Sequence, residues 1–136
     1  MAIGDTNSII RAYLITCGTL TALIGGATPR IYCPRLPENA TLPALGFFSR
    51  GGSSTPYIPG IVTPSVQFDC WASDPITARN IYNKLYDNLQ GIQNTTVGAY
   101  KILSAIEEVQ GQDLVDTEIP NYFRVLAFFS IMIRAE

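Results

Sequence analysis

The chain has 136 residues, 47% of them hydrophobic and only 15% charged, against a charged share of about 25% in soluble domains. That length supplies one domain with a real core, and a surface so poor in charge points to cover by another protein. Histidine is absent, which excludes Ser-His-Asp and Cys-His machinery and His-ligated metals. A net charge of −2 has the wrong sign for a broad nucleic-acid grip, although passage close to DNA stays open.

In the first segment Ile9, Ile10, Tyr13, Leu14, Cys17, Leu20, Leu23 and Ile24 recur at steps of three and four, so the spacing predicts one amphipathic helix over 5–24. Asp5 to Ser8 supply capping side chains and Gly25-Gly26 supply the stop. The stretch is too short and too punctuated by threonine to cross a bilayer, and no membrane partner is expected. A cleavable leader ending near Ala27 fits less well than the helix, because Asp5 stands where basic residues belong.

From Thr28 to Pro64 prolines at 29, 34, 37, 43, 56, 59 and 64 break the chain. Short strands are predicted at Arg30 to Cys33 and Leu45 to Ser49, since proline cannot donate to a central ladder. Between them and a third strand lies a long hairpin loop over 50–60. It opens with Arg50, Gly51, Gly52, Ser53, Ser54, Thr55, Pro56 and Tyr57. It reads equally as a functional arm or as a flexible excursion.

From Ser65 to Trp71, Val66, Phe68 and Cys70 alternate with Gln67, Asp69 and Trp71, a strand with one face in the core. Ser73-Asp74-Pro75 then starts a helix predicted over 74–90, with Ala78, Ile81, Tyr82, Leu85 and Leu89 as its stripe and Gly91 as its stop. Two strands complete the pattern. Tyr100 to Val109 alternates strictly, with Ile102, Ser104 and Ile106 against Leu103, Ala105 and Glu107. Tyr122 to Arg134 is apolar on both faces, the mark of a central strand covered on both sides. Gln110 to Asn121, with Asp113, Asp116 and Glu118, reads as an acidic linker. The fold class is α+β: a single domain over 1–136, mainly antiparallel sheet packed with two helices.

Chemistry is scarce. Cys17, Cys33 and Cys70 are widely spaced and odd in number; they read as buried small residues, with one disulfide at most. Asp69, Cys70 and Trp71 are consecutive, but neighbours on a strand point to opposite faces and no base is at hand to make a thiolate. Glu107, Glu108, Asp113, Asp116 and Glu118 lack a calcium-loop spacing. No catalytic residue, cofactor or metal ligand is expected.

One resemblance goes further. The motifs in order are the N-terminal helix, Thr41-Leu42-Pro43-Ala44-Leu45-Gly46-Phe47, Ser65-Val66-Gln67-Phe68-Asp69-Cys70-Trp71-Ala72, the helix from Asp74 to Leu89 closing on Gln90-Gly91, and Tyr122-Phe123-Arg124-Val125. This order resembles the tail completion, or tail terminator, proteins of long-tailed bacteriophages. The Gly/Ser/Pro-rich insertion from Arg50 to Gly60 departs from that pattern. The resemblance implies a virion protein that forms a ring, usually of six copies. The ring would end the tail tube and present a surface to the head stopper or connector protein, with genomic DNA passing through its lumen. On that reading the segment Arg50 to Gly60 and the linker Gln110 to Asn121 meet the tube or the stopper, with the first helix or an edge strand between copies. Two other readings stand beside it: another ring of the neck, such as a head-completion protein, and a cytoplasmic ligand-binding homo-oligomer.

Overall fold

The computed structural model describes residues 4–34, 37, 41–54, 57–58, 60–115 and 122–135. Three helices, α1 (Thr6–Ile15), α2 (Gly18–Thr21) and α3 (Pro75–Leu89), pack on six strands: β1 (Ile31–Tyr32), β2 (Ala44–Ser54), β3 (Ile61–Ala72), β4 (Gln93–Val97), β5 (Tyr100–Val115) and β6 (Phe123–Arg134). The strands form one sheet in the order β1-β2-β3-β6-β5-β4, antiparallel except for the β1–β2 pair. The expected α+β class is the observed one.

α3 follows its sequence signals closely. Asp74 caps it by accepting from the Ile76 amide at 3.3 Å, Pro75 occupies the first turn, and the five predicted stripe residues are all buried. The first helix is not continuous as expected. Thr16 Oγ1 bonds the Tyr13 carbonyl at 2.6 Å, the Cys17 amide turns back to Leu14, and Cys17 leaves the helical region, so α1 ends and a single turn, α2, follows. A threonine hydroxyl competing for a backbone carbonyl, two residues before Gly18, weakens a helix of modest propensity at this point. Both pieces are tied to α3: the Tyr13 hydroxyl donates to the Asn88 carbonyl, and Asn88 Nδ2 donates to Thr19 Oγ1 at 3.0 Å.

The helices close one face of the sheet. Phe47, Phe68 and Phe129 come from three adjacent strands, with ring centroids 5.8 and 5.5 Å apart, and form the middle of the core beneath Ile10, Leu14, Ile81 and Leu85. Offset and edge-on contacts of this kind add about 0.5–1.5 kcal/mol per pair beyond area burial. β6 is central, as its apolar pattern implied. Its second face, with Leu126, Phe128 and Met132, is not sealed by any described element; Met132 is 37% exposed.

β5 departs from strict alternation. Its register against β6 shifts between Ile102 and Ser104, between Glu107 and Val109, and again before Gln112. Each shift places an extra residue on the bulged strand. The first turns Ile102 and Ala105 onto the same, core-facing side and leaves Ile106 58% exposed on the other. β5 also continues to Val115, so the residues from Gln110 to Val115 belong to a strand and not to a linker. β4 was not anticipated. It is a polar edge strand that among the described residues pairs with β5 alone.

Candidate functional site

The hairpin loop expected over 50–60 begins as strand. Arg50 to Ser54 continue β2, and Gly52, Ser53 and Ser54 pair with Pro64, Thr63 and Val62. A bulge separates this arm from the rest of β2, and Gly51 and Gly52 sit at φ +110° and +137°. Gly52 is required there twice over. Its φ suits only glycine, and a Cβ would lie 2.2 Å from the Thr63 carbonyl oxygen. All four residues from Gly51 to Ser54 are exposed, as are Tyr57 at 91% and Ile58 at 53%. Thr55 and Pro56 lie outside the described residues, as do Asp116 and Glu118 of the expected linker.

On the open sheet face two ion pairs lie over aromatic rings. Arg50 Nη2 is 3.6 Å from Glu108 Oε2 and its Nε donates to Ser65 Oγ at 2.9 Å, while Ser65 Oγ donates to Glu108 Oε1 at 2.7 Å. The Arg50 guanidinium is 3.9 Å from the centroid of Phe128. Arg124 Nη1 lies 3.9 Å from Asp69 Oδ1, and its guanidinium is 5.0 Å from the Trp71 ring. Exposed pairs contribute about 0–1 kcal/mol each, so their role on this face is to fix side chains more than to hold the fold. Burial pushes the Asp69 carboxyl above its ordinary range, opposed by Arg124 and by the Gln67 amide. Leu126, Phe128, Met132 and Ile106 are apolar residues of the same face.

The acidic residues singled out in the sequence are divided between the two faces. Glu107 accepts from the Tyr82 hydroxyl on the helix side, and its amide donates to Gln90 Oε1 at 2.6 Å. Asp113 lies 3.6 Å from Arg79 Nη1 of α3, whose guanidinium also donates to the Gly111 carbonyl. Glu108 is on the open side with Arg50. Among the described residues no three His, Cys, Asp or Glu side chains gather as metal ligands.

The consecutive Asp69 and Cys70 point to opposite faces. Cys70 is fully buried, and burial followed by the neighbouring Asp69 charge pushes its thiol far up, away from a thiolate. Cys17 is buried as expected, but Cys33 is exposed, just after the edge strand β1; all three are free. No described helix is long and apolar enough to cross a membrane.

Sequence reading missed the partnership of Arg50, Ser65 and Glu108, three residues brought together by the β2–β3–β6–β5 order. The open alternation of Gln67, Asp69 and Trp71 was its only visible signal. The chain matches no protein-family model and no curated protein.

Proposed function

We propose that the protein is a structural subunit of the tail-terminator type: copies form a ring, six in number, at the end of a phage tail tube and join it to the head stopper. The observation that carries this reading is the sheet with unequal faces. One face is closed by α1 and α3, and the other bears Leu126, Phe128, Met132 and Ile106 with no described element over it. An exposed group of large apolar side chains on a sheet face is a common place for a partner to bind. The low charge content supports extensive burial between subunits, and the slight negative balance suits a conduit through which DNA slides without being held. The chain would reside in the virion after assembly in the host cytoplasm, and it would work without cofactor, metal or covalent chemistry.

The test is the mass of the purified protein with and without tail tubes, by light scattering and by electron microscopy of tube ends. A complex of six copies capping the tubes is the expected result. A stable monomer indifferent to tubes overturns the reading.

A further inference from the structure

The two faces of the sheet differ in charge as well as in cover. Along β6 every second residue from Val125 to Ile133 enters the core, which leaves Arg124 and Arg134 on the open side with Phe128 and Met132. Strand pairing carries that side across the sheet, where Arg134 stands opposite Ile61 of β3 and Lys101 of β5. Arg50 lies over Phe128 on the same face. Among the described residues the open side therefore carries Arg50, Lys101, Arg124 and Arg134 against Asp69 and Glu108. A chain of net charge −2 shows a positive surplus on the face that its helices leave uncovered.

The surplus is concentrated at one end. Glu108 pairs with Arg50 at 3.6 Å and Asp69 with Arg124 at 3.9 Å, so the acids of this face are already engaged. Lys101 and Arg134 have no carboxylate in ion-pair contact among the described residues, and they face each other directly across the β5–β6 ladder. Like charges in that position repel. An anion brought between them replaces the repulsion by attraction to both.

Beside Arg134 the same face opens into a recess of about 400 Å³ lined by Ile58, Gly60, Ile61 and Leu103. Ile58 is 53% exposed there. An apolar hollow with cations at its edge suits a polypeptide segment in which carboxylates sit beside aliphatic side chains. It suits nucleic acid poorly. Two cations neutralise too few phosphates to hold a duplex at cellular salt, and aliphatic walls offer no ring on which a base can stack.

We propose that this end of the open face binds an acidic, apolar segment of a partner protein, with its carboxylates between Lys101 and Arg134 and its apolar side chains in the recess of Ile58, Ile61 and Leu103. The proposal deepens the preceding reading, on which it rests: what covers the open face is a protein of that chemistry and not the DNA.

Fluorescence anisotropy tests it with a dye-labelled peptide, Leu-Asp-Leu-Glu-Leu, its uncharged counterpart Leu-Asn-Leu-Gln-Leu and a short DNA duplex, each titrated with the purified protein. The acidic peptide is expected to bind at least about tenfold more tightly than the uncharged one. Lys101→Gln with Arg134→Gln should abolish that difference, and Leu103→Ser should weaken both peptides. Circular dichroism checks that each variant folds; the Lys101→Gln, Arg134→Gln double variant relieves a repulsion and should melt no lower than the parent. Equal binding of the two peptides, or no binding of the acidic one at millimolar concentration, overturns the proposal. So does a duplex that binds more tightly than the acidic peptide and is lost in the same double variant. Glu136 follows Arg134 by two residues, and Glu136→Gln should leave the peptide affinity unchanged; a tenfold gain would make the chain's own end the occupant and overturn the proposal. Tube capping is scored separately. Capping that persists in the double variant leaves the terminator reading standing and rejects this end of the face as its contact, whereas peptide binding without capping does the reverse.

Discussion

Phe128 and Phe129 are adjacent in the chain and chemically identical, yet the sheet gives them different work. Phe129 is fully buried against Phe68, and truncation to alanine removes a ring that the helix-covered core cannot collapse around. The expected loss is about 3–5 kcal/mol. An unfolding entropy of about 2.1 cal/mol/K per residue makes this a fall in Tm of roughly 10–17 °C for a chain of this length. Phe128 is half-buried on the open face, with Arg50 3.9 Å above its ring. Phe128→Ala forfeits that contact and part of the ring's burial, about 1–1.5 kcal/mol, or roughly 3–5 °C. Thermal unfolding followed by circular dichroism, with urea titrations to confirm two-state behaviour, measures both. An equal loss for the two variants, or a larger one for Phe128→Ala, would refute the assignment of one sealed and one open face.

Two further outcomes concern single groups. Burial, with the Glu107 hydrogen bond, raises Tyr82 from 10.0 to about 12, and burial raises Tyr13 likewise to about 12. Both are neutral when folded, so the folded state holds more protons than the unfolded one between pH 10 and 12. The stability they contribute is fully present below pH 10 and is lost as pH rises through 12; alkaline denaturation should flatten in the Tyr13→Phe, Tyr82→Phe double variant. Gly52→Ala forces a side chain against the Thr63 carbonyl at a φ of +137°, a strain of about 1–3 kcal/mol. Hydrogen exchange should then speed up in the arm while the amides of α3 and β6 keep their protection.

What could be read from the sequence follows from what each element depends on. α3 announces itself through a capping aspartate, an N-terminal proline and an apolar stripe, all side-chain signals. β3 and β6 are readable because their alternation or their two-sided apolarity reflects burial directly. The arm was hidden, since Gly51 to Ser54 are held as strand by backbone pairing with β3 and have no side chains to bury. β4 was hidden for the same reason: Gln93 to Val97 contribute little to the core. The bulges of β5 could not be foreseen from a regular alternation, and they moved Ile106 from the predicted side of Ile102 to the open face. The break at Thr16 depended on one hydroxyl choosing a backbone carbonyl. Of the residues expected to make contacts, Gly51 to Ser54 and Tyr57 are exposed, whereas Arg50 is paired with Glu108 and Asp113 with Arg79.

The position of β6 also sets an order of events during synthesis. It is the sixth strand in sequence but the third or fourth across the sheet, seated between β3 and β5, and its partners in β3, such as Ala72 opposite Phe123, are distant in sequence. The β2–β3 hairpin and the β4–β5 hairpin form from local contacts, but no strand joins them until β6 pairs with β3 and β5 and supplies the non-local pairing, a slow step in folding. A nascent chain lacking this strand therefore holds two hairpins without backbone pairing between them, linked through α3, which packs against both β3 and β5.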